Sequence, residues 1–375
     1  MDNYTRILLS SLVLSVTQAM LFPFLPIYAY EIGGKFAHAG YVFSLPSLIL
    51  VAMTFGWGSL SDRLGNRKSI IIVSNIIASF MYFTFAYVGI TWLIILRCIQ
   101  TFFYSSYILI PAIVTEYYPL SKGRALGRYN VATGMGWTIG AVISGNAASI
   151  GFGFFFAVTG LLSLLFCFLF YFVEDLPREK ETKKFREFLI FGEPKKIFLL
   201  CLYAFVLMTG GSALSSIFNV YLKNLEISLQ SIGYITSLTS LTFLLVADKV
   251  GKTCDTLGRK PLLVVTPLLY MGMWLGIGVT ENIYMKIVLW ILPFYALFLT
   301  ASTSAVSDLT SGKERGRGVG ILNSSIGLGT FAGGIVGGNL ADLFGPRNTF
   351  ISASLFAIMG FLISLKMEET KDYTN

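Results

Sequence analysis

The stretch that decides the fold reads GSLSDRLGNRK at residues 58–68, and a related stretch, GKTCDTLGRK, stands at residues 251–260. Each places an acidic residue, a glycine and a basic pair between two long apolar segments. The glycine of each pair of turns needs no room for a side chain, so it permits a tight turn. We expect Asp62 to accept from helix-terminal amides, the basic residues to meet carboxylates or lipid phosphates, and Gly58 to let two helices approach closely.

The two stretches belong to an internal repeat. A shift of 193 residues superposes them and pairs further residues on both sides, such as Gly40 with Gly233 and Gly136 with Gly329. One register without a gap over this length predicts two copies of one structural unit. Since each copy contains an even number of spans, both have the same orientation. Parallel halves of this kind place a solute site at their interface, near the middle of the membrane.

The composition indicates a membrane protein. Of 375 residues, 55% are hydrophobic and only 13% are charged, and the mean hydropathy is +0.71. Soluble domains carry about 25% charged residues. Because lipid offers the backbone no hydrogen-bond partners, apolar runs of about 20 residues should be transmembrane helices. Twelve such runs lie at approximately 6–30, 38–60, 69–88, 91–117, 125–148, 152–173, 197–222, 230–250, 261–280, 284–307, 317–341 and 346–366.

We therefore predict an all-α integral membrane fold with twelve transmembrane helices in two pseudo-symmetric six-helix bundles. The bundles occupy residues 1–173 and 197–375, and residues 174–196 form a cytoplasmic linker. The linker is basic, with apolar residues interspersed near its centre. It fits either a solvated tether or a basic amphipathic helix that lies on the lipid surface, which would make membrane lipids a partner.

The positive charges predict the orientation. With the N-terminus inside, 23 of the 28 Lys and Arg residues fall on the inner side and four on the outer side. The positive-inside rule then places both termini in the cytoplasm of a multi-pass plasma-membrane protein. This distribution explains the net charge of +8 without nucleic-acid binding. The four cysteines are scattered and form no ligand-spaced cluster, so neither a metal nor a cofactor is expected.

The loop at residues 58–68 resembles the signature loop of the major facilitator superfamily, and residues 251–260 resemble a second copy. The resemblance implies a conformational latch between the two halves. Thr256 stands where the pattern has arginine, which implies a weaker second latch. Glu116 and Asp308, at the inner ends of spans 4 and 10, are either partners of the basic residues or simple end-capping charges. The residues that carry the latch by this resemblance are Gly58, Asp62, Arg63, Gly65, Arg67 and Lys68, with Asp255, Gly258, Arg259 and Lys260 in the second copy.

Arg97 is the one basic residue that the span assignment places inside the membrane. Ionisable side chains there are costly and mark function, although an arginine bonded to backbone carbonyls would be purely structural. Its setting, LRCIQT, resembles the R-x-x-Q-G motif of the family, in which the arginine binds substrate or couples protons. The same resemblance points spans 1, 4, 7 and 10 at a central cavity. It gives as further substrate or coupling candidates Gln18, Gln100, Asn130, Asn219 and Asn323.

Two other stretches resemble the drug-efflux-like branch of the family. Residues 21–28, LFPFLPIY, are similar to its P-x-x-P-x-Y region, although helix kinking alone also explains both prolines. The glycines of span 5 are similar to an antiporter motif, but close helix packing explains them equally well.

These features predict a secondary active transporter, not an enzyme, that moves a small organic solute by alternating access as a monomer. Proton-coupled efflux is one version, and uptake of an anionic metabolite or nutrient is the alternative. An exporter of organic cations requires a central carboxylate, whereas an unpaired Arg97 attracts an anion. The acidic residues of the spans all lie close to span ends: Glu31, Glu116, Asp248, Asp308 and Asp342.

Overall fold

The computed structural model describes residues 2–118, 120–174, 193–310 and 314–370. The centre of the predicted linker therefore lies outside the described residues. The described chain is helical almost throughout, and no strand occurs in these ranges.

The first six predicted spans all fall on helices. Span 4 is divided, because a 3-10 segment, Ser105–Leu109, interrupts it just before Pro111. The helices are α1 (Asn3–Gly33), α2 (Phe36–Leu64), α3 (Arg67–Phe85), α4 (Ile90–Tyr104), α5 (Ile110–Tyr117), α6 (Lys122–Ile150) and α7 (Phe152–Tyr171).

The last six predicted spans also fall on helices. Span 10 is divided at Leu292 and Pro293, where the proline ring cannot continue the hydrogen-bond ladder. Spans 11 and 12 form one long helix that is kinked at Gly345, which has a φ of 81° and precedes Pro346. The helices are α8 (Pro194–Asn224), α9 (Leu229–Leu257), α10 (Lys260–Val279), α11 (Ile283–Ile291), α12 (Phe294–Asp308) and α13 (Arg315–Leu365).

The helices have the dimensions of membrane spans. Within the described ranges, ten helical stretches are long and apolar enough to cross a membrane, with α4–α5 and α11–α12 each counted as one. One of these, α13, contains two predicted spans on either side of its kink. The remaining predicted span is α6, whose glycines lower its hydropathy. The fold is thus the predicted all-α membrane fold.

The 193-residue repeat reappears in how the helices pack. Gly140 of α6 lies so close to the Val16 carbonyl of α1 that a methyl group at Gly140 would collide with it. Gly333 of α13 meets the Thr209 carbonyl of α8 in the same way. Both residues of the second contact are the first pair shifted by 193 positions. Close packing therefore accounts for these glycines of span 5.

The described helices group into two compact units. Unit 1 contains most of α1 to α7, together with the end of α8 and the beginning of α9. Unit 2 contains the remainder of α8 to α13, together with the beginning of α2. Unit 1 comprises Met1–Gly34, Ile49–Lys183 and Asn219–Leu241, and unit 2 comprises Lys35–Leu48, Lys184–Phe218 and Thr242–Asn375.

Inside unit 1, buried polar contacts fix α3 against the span that carries Arg97. The Ser106 hydroxyl lies 2.6 Å from that of Ser74 and accepts from the Asn75 amide at 2.9 Å. Ser79, one turn further along α3, is bonded to Ser163 of α7 at 2.6 Å. These contacts set the face of α3 that carries Tyr82 towards α4.

Candidate functional site

A polar cluster inside the spans of unit 1 connects three of the predicted site residues. The amide of Gln100, which is fully buried, donates to the Tyr82 hydroxyl at 2.6 Å. The amide of Gln18 donates to the same hydroxyl at 3.4 Å. Arg97 donates through Nη1 to the side-chain oxygen of Gln100, one turn further along α4. Tyr82 thus joins side chains of α1, α3 and α4.

The Arg97 guanidinium has only neutral neighbours among the contacts that the structure describes. It forms no ion pair within the described residues. Its Nε is buried and has no hydrogen-bond partner there. A buried polar group without a partner is costly, and an unpaired charge is more so. The arrangement therefore leaves a positive charge with donor capacity to spare for an anionic group.

The three predicted asparagines lie elsewhere. Asn219 of α8 is 4% exposed, and its Oδ1 has no partner in the described chain. Asn130 of α6 and Asn323 of α13, which the repeat pairs, are both exposed. None of the three contributes a described hydrogen bond to the cluster around Tyr82. Sequence reasoning missed Tyr82 itself, because a tyrosine inside an apolar span has the pattern of a core residue.

The first signature loop is held by residues of its own half. Gly65 makes the turn with a φ of 70°, a conformation that favours glycine. Asn66 then caps α3, since its side chain accepts from the Ser69 amide at 2.9 Å. Arg67 pairs with Glu116 of α5 at 2.8 Å and with Asp62 at 3.4 Å.

The second loop has the same turn but different partners. Gly258 has a φ of 94°. Arg259 pairs with Asp308 of α12 at 2.8 Å and with Asp255 at 3.2 Å, and only 12% of its side chain is exposed. Partial burial lowers the pKa of the Arg259 guanidinium, but the attraction and hydrogen bond of the Asp308 carboxylate outweigh this effect. The net result is a raised pKa, so Arg259 stays charged.

A residue after α13 completes the second loop. The Glu369 carboxylate accepts from the backbone amides of Arg259 at 2.9 Å and of Lys260 at 3.1 Å. The sequence gave no signal for this contact, because Glu369 is 110 positions away from Arg259. The remaining basic residues of the loops differ in setting. Arg63 is exposed, and the Lys68 ammonium lies 5.2 Å from the ring centre of Tyr171.

Two expectations for the first loop are wrong in this structure. A methyl group at Gly58 would meet nothing within 4 Å, so Gly58 makes no close helix contact here. Asp62 does not cap α3, because Asn66 occupies the cap position and Asp62 accepts from Arg67 instead. Glu116 and Asp308 do lie in ion pairs with loop arginines. Their gating role stays a prediction.

Membrane-length helices, a repeated pair of charged loops and a polar cluster inside the spans define a multi-pass membrane transport protein. The sequence model of the Major Facilitator Superfamily matches residues 7–292 and 200–374. The chain belongs to that superfamily, which makes it a transporter of small-molecule solutes and not an enzyme.

Individual relatives share about a quarter of their residues with this chain. The multi-drug resistance efflux pump PmrA homolog of Lactococcus lactis is 27% identical over 92% of this chain and 90% of its own. An uncharacterized MFS-type transporter of Methanocaldococcus jannaschii is 25% identical over 91% and 92%. A crystal structure of the nucleoside transporter NupG superposes with a TM-score of 0.86 at 13% identity, covering 98% of this chain and 100% of that one. At that identity the likeness shows the fold alone.

Proposed function

We propose that this transporter exports an amphipathic organic solute with an anionic group, which the Arg97 cluster of unit 1 binds. The observation that carries the proposal is the unpaired guanidinium of Arg97 beside the neutral amides and hydroxyl of Gln18, Gln100 and Tyr82. A carboxylate or phosphate would supply the missing charge and accept from Nε. The aromatic surroundings of the cluster, with Tyr104 and Tyr107 in ring contact at 4.8 Å, suit the apolar part of such a solute.

Relatives named as multidrug efflux pumps support the export direction and a location in the plasma membrane with both termini in the cytoplasm. In this proposal the two sequence halves, residues 1–173 and 197–375, alternate access to the solute as a monomer. The two signature loops and their partners Glu116 and Asp308 form latches on the inner side, and Asn130, Asn219 and Asn323 contact the solute path.

The proposal is tested by ligand binding to the purified protein. Thermal-shift measurements with benzoate and 1-naphthoate should show stabilisation that Arg97→Ala removes. A charge-assisted hydrogen bond contributes about 1.5–3 kcal/mol, so affinity should fall roughly 10- to 100-fold. Arg63→Ala is the matched control, since it removes an exposed arginine that is remote from the cluster. It should leave binding unchanged.

The opposite result is equally clear. If tetraphenylphosphonium stabilises the protein, Arg97→Ala leaves that stabilisation intact and neither carboxylate binds, the anion proposal is wrong. Direction and coupling are read from everted membrane vesicles loaded or unloaded with carboxyfluorescein. Export accumulates the dye in such vesicles, and collapse of the pH gradient by nigericin abolishes accumulation if protons drive it.

Uptake of an anionic metabolite is the second candidate. It is favoured by the same unpaired Arg97 and by the acidic residues at the span ends, several of which are already engaged. Glu116 is paired with Arg67, and Glu31 with Lys223. An exporter that relies on protons needs a carboxylate free to titrate. Loss of dye from everted vesicles, rather than accumulation, would favour uptake.

A further inference from the structure

We propose that Asp342 is a positioning residue of the outer gate, whose carboxylate latches the beginning of α2 to α13. The inference rests on the proposed alternating access, but it concerns the opposite end of the helices from the signature loops. It begins with two contacts that the repeat makes equivalent. We call them the α2–α13 seam and the α6–α9 seam.

The α2–α13 seam lies in unit 2 and is closely packed. A methyl group at Gly40 of α2 would collide with the Gly334 carbonyl of α13 and contact the Cα of Gly338. One at Gly334 would collide with the side chain of Ser44. Ser44 is fully buried there. Further along, the Tyr41 hydroxyl reaches the side-chain oxygen of Asn339 at 3.3 Å.

The α6–α9 seam lies in unit 1 and repeats this packing. A methyl group at Gly233 of α9 would meet the Ala141 carbonyl and the Cα of Gly145 of α6. Gly233 and Gly145 are the 193-residue counterparts of Gly40 and Gly338. The Ser237 hydroxyl, the counterpart of Ser44, donates to the Thr138 carbonyl at 2.8 Å.

The two seams differ in how their helices are capped. A helix begins with amides that have no partner in the helix. At the start of α2, the amides of Phe36 and Ala37 donate to the two oxygens of Asp342 at 2.8 and 2.9 Å. The start of α9 is capped locally, since the Ser228 hydroxyl accepts from the Ser231 amide at 3.2 Å. Ser149, the counterpart of Asp342, bonds within its own helix to the Asn146 carbonyl.

The asymmetry has a mechanical consequence. A local cap stays in place when two helices separate, whereas the cap that Asp342 provides is lost, because the carboxylate and the amides lie on different helices 306 positions apart in sequence. The positive end of α2 also attracts the negative charge. The α2–α13 seam therefore carries a specific interaction that favours the closed outer end, and the α6–α9 seam does not.

Thiol accessibility tests the latch in the full chain. In a background with the four native cysteines changed to serine, Ser44→Cys and Ser237→Cys report the two seams, since Ser44 is 0% and Ser237 8% exposed. Asp342→Ala should raise the rate of N-ethylmaleimide labelling at both positions about five-fold, the effect of losing a charge at a helix N-terminus. Asp342→Asn keeps one acceptor oxygen and should give a smaller increase. Restoration by Asp342→Glu supports a positioning role.

The control removes a charge from the same side without touching α2. Glu281 pairs with Arg347 at 2.7 Å in an exposed position, and Glu281→Gln should leave both labelling rates unchanged. Faster labelling at Ser44→Cys alone would mean that Asp342 is only a local cap, and the latch would be wrong. Unchanged labelling in a folded Asp342→Asn protein, judged by its melting temperature and gel-filtration profile, would overturn it too. Failure of carboxylate binding in the Arg97 experiment leaves this labelling test intact, so the two proposals fail separately.

Discussion

The two signature loops, residues 58–68 and 251–260, make the same turn but are held by different means. The first takes its helix cap from Asn66, the residue next to the turn. The second has Arg259 at that position and receives its cap from Glu369, beyond the last helix. The two arginines also sit one position apart in the repeat, since Arg67 corresponds to Lys260 and Arg259 to Asn66.

This difference shows what the repeat preserves and what it leaves free. Both copies keep a glycine in the left-handed region and an arginine between two carboxylates, 13% and 12% exposed respectively. The identity and origin of those carboxylates are not preserved. Because Glu369 ties the second loop to the end of α13, that loop depends on distant residues. The first loop depends mainly on its neighbours and on Glu116.

The largest expected effect comes from removing an arginine. Arg259→Ala leaves Asp308, 26% exposed, and the Cys254 carbonyl without their donor. The loss should be about 2 kcal/mol, between the values for exposed and for buried ion pairs. Arg67→Ala should cost about 1 kcal/mol, since its partners are 37% and 35% exposed and better hydrated.

Thermal denaturation of the detergent-solubilised variants measures both changes. Arg63→Ala serves as the control, because Arg63 is exposed and should leave the melting temperature unchanged. A larger loss for Arg67→Ala than for Arg259→Ala would contradict the ranking by burial.

Removing the caps should separate the two loops. Asn66→Ala and Glu369→Ala each remove a cap and should each cost about 1 kcal/mol. Their effects should be local. Cys254, which is fully buried beside the second loop, should label faster with maleimide only in Glu369→Ala. Its repeat counterpart Ser61, replaced by cysteine, should label faster only in Asn66→Ala.

Glu368→Ala is the matched control for the second cap. Glu368 precedes Glu369 in the same segment but pairs with Lys196 at 3.2 Å in an exposed position. It should therefore leave Cys254 protected. Equal labelling of both reporter thiols in Glu369→Ala would show a general loosening and remove the distinction between the loops.

The smallest effect is expected at Thr256, where the family pattern has arginine. Thr256 is exposed and bonds only to carbonyls of its own helix, and its counterpart Arg63 is exposed as well. Thr256→Arg should therefore change stability by no more than about 0.5 kcal/mol. A clear rise in melting temperature would show that the second loop lacks an interaction that Arg63 supplies in the first.

Much of the fold could be predicted from the sequence, because span length and repeat register are properties of the chain itself. Each predicted span falls on a helix, and the Gly140 and Gly333 contacts follow the 193-residue register. The breaks inside spans 4 and 10 were not predicted, although Pro111 and Pro293 mark them. For the candidate site, Arg97 and Gln100 stand in one motif, whereas Gln18 could be joined to them only through Tyr82 of another helix.

The sequence by itself determined that this protein lies in a membrane, that it repeats one unit twice, and that charged turns end its helices. Hydrophobic length and glycine placement are sufficient for these features, since they act locally. Only the tertiary structure decided which carboxylates satisfy which helix ends. Asp342 at α2 and Glu369 at α10 are brought to their amides by packing over 306 and 110 positions of sequence. A helix N-terminus accepts any carboxylate that the fold places there, so the sequence around it does not specify the partner.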